Sequence, residues 1–148
     1  MKAVLDCSAV IEVSRGTELG RALRGAVFAG GQVTTIAPEL IYAEAASAAS
    51  KYYRAGLLDA QATKDLVADA LALVDATVPL QGLQAEALAE SLKLGHSVYD
   101  MFYFVLARRC DAALVTLDRR LNHLCEQEGI QRIQLADAGG SLSVSIGA

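Results

Sequence analysis

Four acidic residues stand where a predicted buried element ends or begins. Asp6 and Asp118 each follow an apolar run that is typical of a buried parallel strand. Asp100 lies in the first turn of a predicted helix that is apolar nearly all round, and Glu44 lies beside the packed face of another helix. If these carboxylates converge, they repel one another unless cations are present, and their oxygens suit the hard divalent ions Mg²⁺ and Mn²⁺. Such ions can activate water for phosphodiester hydrolysis without a protein nucleophile.

Each of these acids also has a purely structural interpretation. Asp118 precedes a predicted helix and can cap it, and Asp100 complements the dipole at a helix N-terminus. Asp6 could cap the helix after the first strand, although Ser8 is available for that role. Glu44 could extend to solvent. The convergence of the four acids is therefore a hypothesis at this point, because spacing alone does not prove it.

The elements that must position these acids alternate along the chain. Apolar or β-branched runs predict strands, and apolar residues at helical spacing predict the helices between them. The predicted strands lie at the N-terminus and at residues 32–37, 77–80, 112–117 and 130–135, and the predicted helices cover 9–18, 17–29, 39–55, 59–76, 83–94, 98–109 and 119–128. This alternation indicates an α/β fold with a mainly parallel sheet, in which ligand sites lie outside the carboxyl ends of the strands.

Length and composition predict one globular domain. The chain has 148 residues, of which 53% are hydrophobic, and we assign the domain to residues 1–136 and an irregular, Gly/Ser-rich tail to residues 137–148. The net charge of −4 excludes a broadly basic nucleic-acid surface. Any contact with a polyanion must therefore be local, or mediated by metal ions.

The sequence also predicts a cytoplasmic protein without a membrane span. Its apolar stretches are short or contain charges, and residues 1–13 lack the features of a signal peptide. The three cysteines, Cys7, Cys110 and Cys125, have no CxxC spacing, so neither a disulfide framework nor a zinc site is indicated. We expect buried free thiols, with Cys7 in a packing role.

Four short motifs resemble the PIN domain, and they occur in the order that this family shows. The first, Val4-Leu5-Asp6-Cys7-Ser8, resembles its opening motif, and the last, at residues 114–118, ends on Asp118. The two between them are found at residues 38–44, where the acid is Glu44, and at residues 97–100, where it is Asp100. The similarity runs from Val4 to about residue 135, and length and motif order resemble the VapC-type toxins of toxin–antitoxin pairs.

The resemblance implies a three-layer α/β/α sandwich whose five-stranded parallel sheet has the order 3-2-1-4-5. It implies a Mg²⁺- or Mn²⁺-dependent endoribonuclease that hydrolyses RNA, forms a homodimer and is inhibited by a cognate antitoxin. Carried over by position, the catalytic, metal-holding residues are Asp6, Glu44, Asp100 and Asp118. Ser8 and Thr116 would be supporting polar residues.

One departure from the family pattern concerns the segment after Asp118. Some members carry a further acid there, whereas this chain has Arg119 and Arg120. The change leaves the number of metal ions open, and the two arginines could instead hold RNA phosphates. Arg108 is a third candidate RNA contact.

Other residues that can do chemistry have structural interpretations. We expect His96 to be a loop histidine and His123 to lie on an exposed helix face. Tyr52, Tyr53, Tyr99 and Tyr103 are spaced for packing in the core or in a dimer interface rather than for base stacking.

Two alternative functions stay open on the sequence. The first is a catalytically silent PIN-like module that binds a protein partner. The second is a phosphatase or phosphotransfer enzyme on a similar α/β fold. The second is disfavoured because no further aspartate stands two places after Asp6, no lysine follows Lys93, and no phosphate-cradling glycine loop is present.

Overall fold

A six-stranded sheet runs through the protein in the computed structural model, which describes residues 1–138 and 141–147. Its strands are β1 (Lys2–Leu5), β2 (Thr34–Pro38), β3 (Ala76–Val78), β4 (Ala113–Val115), β5 (Arg132–Ala138) and β6 (Ser141–Gly147). Their order across the sheet is β3-β2-β1-β4-β5-β6, and only β6 runs antiparallel to its neighbour. The α/β class and the 3-2-1-4-5 order of the five parallel strands are confirmed, and β6 extends one edge.

Helices cover both faces of this sheet. They are α1 (Cys7–Arg15), α2 (Glu18–Phe28), α3 (Leu40–Arg54), α4 (Ala60–Leu71), α5 (Gln84–Leu94), α6 (Val98–Cys110) and α7 (Arg119–Gln127). Parallel crossovers are right-handed, and the chain moves first from β1 towards β3 and then towards β5, which places α1–α4 on one face and α5–α7 on the other. Contacts agree, because α4 packs against α1 and α3 while α5 packs against α6. The predicted three-layer sandwich is confirmed.

Helix α6 is buried on more than one side, as its composition predicts. All of residues 101–107 are buried, and the helix packs against α5 and against β1, β2 and β4. Because α6 leads into β4, it begins at the edge of the sheet where the parallel strands end. This places Asp100, in its first turn, on the side of the sheet where Asp6 and Asp118 lie.

The C-terminal segment departs from the prediction. Residues 137–148 were expected to form an irregular tail, whereas Ser141–Gly147 is strand β6, paired with β5 along its whole length. The physical reason lies in the order of residue types: serine alternates with Leu142, Val144 and Ile146. This period of two is typical of a strand, and it outweighs the small-residue composition.

Element boundaries differ from the predictions where tertiary hydrogen bonds intervene. Helix α4 ends at Leu71, before the predicted end at residue 76. Asp75 explains the early stop: its carboxylate accepts from the backbone N–H of Thr35 at 2.8 Å, and its own N–H donates to the Thr35 carbonyl at 2.9 Å. Strand β2 extends one residue beyond its predicted end at residue 37, to Pro38. In the described residues, no helix is long and apolar enough to cross a membrane.

Candidate active site

The site begins where the order of the strands reverses, between β1 and β4. Asp6 directly follows β1, and its backbone N–H donates to the carbonyl of Val115 at the end of β4, at 3.1 Å. Reversal points of this kind leave a crevice outside the carboxyl ends of the strands, where α/β proteins bind ligands. The sheet topology therefore places Asp6 at the expected position for a ligand site.

The carboxylate of Asp6 caps helix α1, a role for which the sequence offered both Asp6 and Ser8. Its Oδ1 accepts from the backbone N–H of Ala9 at 3.0 Å and from the Ser8 hydroxyl at 2.6 Å. Because α1 begins already at Cys7, the extended residue before it is Asp6, and Ser8 lies inside the helix. Ser8 instead joins two parts of the site, since its hydroxyl also accepts from the N–H of Leu117 at 2.9 Å.

Thr116 holds the other oxygen of Asp6. Its hydroxyl donates to Asp6 Oδ2 and accepts from the N–H of Asp118 at 3.1 Å. Asp6 is only 7% exposed, and burial raises the pKa of its carboxyl against the lowering effect of these hydrogen bonds. Ser8 and Thr116, which the resemblance suggested as supporting polar residues, both contact the Asp6 carboxylate directly.

Asp118 is an exposed acid at the start of α7. Its Oδ1 accepts from the N–H of Leu121 at 2.8 Å, so it caps this helix, as one of its two interpretations predicted. Within the described residues, its other oxygen makes no hydrogen bond. The capping role therefore leaves one carboxylate oxygen of Asp118 available for a ligand.

Glu44 is held by a residue from the opposite layer. The hydroxyl of Tyr103, a buried side chain of α6, donates to Glu44 Oε1 at 2.9 Å. Partial burial raises the pKa of the Glu44 carboxyl, the Tyr103 hydroxyl lowers it, and the negative charges of Asp6 and Asp100 raise it further. Glu44 thus points into the molecule rather than to solvent.

We expect Tyr103→Phe to reduce the free energy of unfolding by about 1 kcal/mol, the usual net value of one such hydrogen bond. The ring stays in place, so the change tests the hydroxyl alone. Urea unfolding measures it, with Tyr53→Phe on an exposed ring as the matched control. Equal stability of the Tyr103→Phe variant and the wild type would mean that solvation of Glu44 compensates for the lost bond.

Asp100 does not act as a helix cap. The residue before α6 is Ser97, which makes no side-chain capping bond, and among the described residues the Asp100 carboxylate accepts no hydrogen bond from the start of the helix. Its nearest basic partner is His96, whose Nδ1 lies 3.3 Å from Asp100 Oδ2. Burial raises the pKa of Asp100, the charges of His96 and Arg120 lower it, and the charge of Asp118 raises it.

These electrostatic effects connect all four acids. Asp100 raises the pKa of both Asp6 and Glu44, and Asp118 raises that of Asp100. Carboxylates that destabilise one another's charge in this way lie close together. The tertiary structure therefore places the four acids that the motifs singled out within range of one another's charges.

An open groove of about 410 Å³ reaches two of these acids. Glu44 and Asp100 line it, together with Leu40, Ala43, Ser47, Ser97 and Tyr99. Tyr99 is 59% exposed, so of the two packing roles that its spacing predicts, the place in the core is wrong. The ring therefore presents an aromatic face to solvent beside Asp100.

Comparison with known proteins identifies the family. A family model described as the PIN domain matches residues 3–127. The chain belongs to the PIN domain family. Among solved structures, it is similar to PAE2754 from Pyrobaculum aerophilum, at 22% sequence identity and a TM-score of 0.62, over 82% of this chain and 77% of that one. No curated protein matches.

Membership of the family supports a nuclease-type fold, and PIN nucleases typically use divalent metals. The donor set fits such an ion in chemistry, because all four acids offer oxygen and their mutual repulsion favours a cation. In the described part of the chain, however, no three His, Cys, Asp or Glu residues are already grouped around one point. The carboxylates would have to turn towards a bound ion.

The candidate RNA contacts of this PIN domain differ in their surroundings. Arg108 pairs with Glu86 at 2.7 Å and with Glu90 at 2.9 Å, so its charge ties α6 to α5. Arg119 and Arg120 are exposed at the start of α7, beside Asp118. The ion pairs weigh against phosphate binding by Arg108 and leave Arg119 and Arg120 as the better candidates.

Two residues at the site were not predicted to act there. His96 was interpreted as a loop histidine, and Tyr103 as a packing residue. A signal exists in the sequence for His96, which stands only four residues before Asp100, whereas nothing in the sequence pairs Tyr103 with Glu44. Cys7 keeps its predicted packing role: burial and the charges of Glu44 and Asp6 raise the pKa of its thiol to about 12.

Proposed function

We propose that this PIN-domain protein is a Mg²⁺- or Mn²⁺-dependent endoribonuclease, the toxin of a toxin–antitoxin pair. The observation that carries the proposal is the coupling of Asp6, Glu44 and Asp100. These acids come from the end of β1, from α3 and from α6; the charge of Asp100 raises the pKa of both Asp6 and Glu44, and the charge of Asp6 also raises that of Glu44. If the chain needed only to fold, replacing these mutually repelling acids would raise its free energy of unfolding.

Each residue of the site has a role in the proposed reaction. A divalent ion held by the acids would polarise the phosphate and lower the pKa of an attacking water. Asp6 is fixed by Ser8 and Thr116, so its position needs little reorganisation. Glu44, with its raised pKa, is the candidate to accept the proton of the water, because a general base works best when its pKa approaches the operating pH.

The substrate is proposed to enter along the open groove. Arg119 and Arg120 would hold phosphates by charge-assisted hydrogen bonds, and the exposed ring of Tyr99 offers a surface for an unpaired base. Stacking on aromatic rings is how many proteins hold single-stranded RNA. An unpaired RNA segment is therefore the proposed substrate.

The proposed partners are an antitoxin and a second copy of the chain, in the cytoplasm. The similarity in length and motif order to VapC-type toxins supports the pairing with an antitoxin. Leu88 and Leu92 lie one turn apart on α5 and are 43% and 77% exposed, which supports a protein partner on this helix.

The proposal is tested with purified protein, free of any partner, on a mixed pool of RNA. We expect cleavage with Mg²⁺ or Mn²⁺ and none with EDTA, because the acids need a cation to hold the phosphate. Gel analysis of the 3′ and 5′ ends separates internal cleavage from trimming. Cleavage that persists in EDTA would contradict the metal-dependent mechanism.

The second candidate is a catalytically silent PIN-domain module. It is favoured by the observation that, within the described residues, the acids are not already grouped around one metal position. A folded protein that neither binds Mn²⁺ nor cleaves RNA would support this alternative. Binding without cleavage would point to a narrow RNA target instead.

A further inference from the structure

The backbone of His96 is held firmly at the junction of α5 and α6. Gly95 ends α5 with a positive φ of 63°, a conformation that favours glycine, and its N–H donates to the Ser91 carbonyl at 2.9 Å. The His96 N–H donates to the same carbonyl at 3.3 Å, and the Ser91 hydroxyl donates to the His96 carbonyl at 2.5 Å. Ser91 therefore restrains the His96 backbone at both its N–H and its carbonyl group.

The imidazole of His96 is buried without a hydrogen-bond partner. The side chain is 9% exposed, and in the described residues neither Nδ1 nor Nε2 makes a hydrogen bond. Its Nδ1 nevertheless lies 3.3 Å from Asp100 Oδ2, at an angle that forms no hydrogen bond. Burying an imidazole in this way costs free energy, so the position needs a reason beyond stability.

Asp100 gives that reason, because it is otherwise unrestrained. It makes no capping bond to α6, whereas Asp6 is held by three donors and Glu44 by the Tyr103 hydroxyl. A carboxylate that must hold a metal usually has an outer partner that orients it. In the described part of the chain, His96 is the one basic side chain that contacts the Asp100 carboxylate.

We propose that His96 is a positioning residue, whose Nδ1–H donates to Asp100 Oδ2 and orients this carboxylate towards a divalent cation. The inference rests on the proposed function, since it requires that Asp100 holds a metal ion. The 3.3 Å contact shortens to a hydrogen bond when Asp100 turns to the ion. His96 itself contributes no bond to the metal.

Substitutions at His96 can separate a donor role from a packing role. His96→Asn places an amide N–H near the position of Nδ1, whereas His96→Leu keeps a side chain of similar size without any donor. We expect His96→Leu to weaken Mn²⁺ binding by about tenfold, the lower end of the effect of losing such an outer partner. We expect His96→Asn to stay within about threefold of the wild type, because it keeps the donor.

The measurement is an Mn²⁺ titration followed by electron paramagnetic resonance, on the full chain without RNA. Thermal unfolding of each variant checks the fold, and His123→Leu, at a 68% exposed histidine side chain of α7, is the matched control. In an Asp100→Asn background, His96→Leu should weaken binding no further. Additivity of the two substitutions would overturn the proposal, since it would show that His96 acts without Asp100.

Other outcomes also decide the proposal. If the wild type binds Mn²⁺ and His96→Leu binds it equally well, the inference fails while the proposed function stands. If the wild type binds no Mn²⁺, the proposed function fails and the inference fails with it. A nitrogen coupling from histidine in the spectrum of the bound Mn²⁺ would make His96 a ligand and would overturn the positioning role.

Discussion

Asp6→Asn and Asp100→Asn should each reduce metal-dependent RNA cleavage by at least about 100-fold while leaving the protein folded. A metal ion stabilises the transition state by several kcal/mol, and each 1.36 kcal/mol corresponds to about a tenfold change in rate. Asp6 follows β1 and Asp100 lies in α6, yet Asp100 raises the pKa of Asp6. Loss of either charge should therefore impair the same cation site.

The asparagine substitutions are chosen because they keep the shape of the site. In Asp6→Asn, the remaining oxygen can still accept from the N–H of Ala9, so the cap of α1 survives. The matched control is Asp65→Asn, at an exposed acid that lines a different groove, with Tyr52 and Leu57. Initial cleavage rates at saturating Mn²⁺ give the comparison, and activity within a few fold of the wild type in either site variant would exclude that acid from the metal site.

The second prediction concerns stability without metal. Asp6→Asn should raise the free energy of unfolding in EDTA near pH 7.5, by about 1 kcal/mol, as is common when a strained functional residue is replaced. The folded protein keeps Asp6 in an environment that opposes its charge, since burial raises its pKa above the ordinary value of 3.8. The amide is neutral at every pH and avoids this cost.

The direction of the pH dependence follows from the raised pKa values of Asp6, Glu44 and Asp100. The folded state binds protons more tightly than the unfolded chain, so these groups favour folding below their ordinary values of 3.8 and 4.5. That contribution is lost as the pH rises through the folded pKa values. The wild type should therefore lose stability relative to Asp6→Asn between about pH 4 and pH 7.5.

Metal should reverse the order of stability. Mn²⁺ at about 100 times its dissociation constant would stabilise the wild type by about 2.7 kcal/mol and should stabilise Asp6→Asn much less. The free energy of unfolding in urea is measured for the wild type and for Asp6→Asn at the acidic and at the near-neutral pH. Each measurement is made in EDTA and in Mn²⁺, which gives four conditions for each protein. A less stable Asp6→Asn variant in EDTA near neutral pH would mean that the bonds from Ser8 and Thr116 outweigh the cost of burial.

Local sequence patterns predicted the parts of the site that depend on strands. The apolar runs before Asp6 and Asp118 indicated buried parallel strands, and parallel strands end at one edge of a sheet. Placement of both acids at that edge therefore needed no tertiary information beyond the α/β class. The alternation of serine with apolar residues in Ser141–Gly147 was also readable, but small-residue composition suggested a tail instead.

The contacts between helices could not be predicted in the same way. Tyr103 reaches Glu44 across 59 residues of sequence, and the hydroxyl of Thr116 reaches Asp6 across 110. Such pairings depend on the rotation and depth of each helix or strand, which are set by the packing of the whole core rather than by local spacing.

By itself, the sequence determined the α/β class, the four acids and the edge at which two of them lie, because these follow from periodicity and from the geometry of parallel strands. The tertiary structure alone decided which acid is held by Tyr103 and which is left to His96. These side-chain contacts require atoms to be placed to within the length of a hydrogen bond, and such placement is set only when the layers pack together.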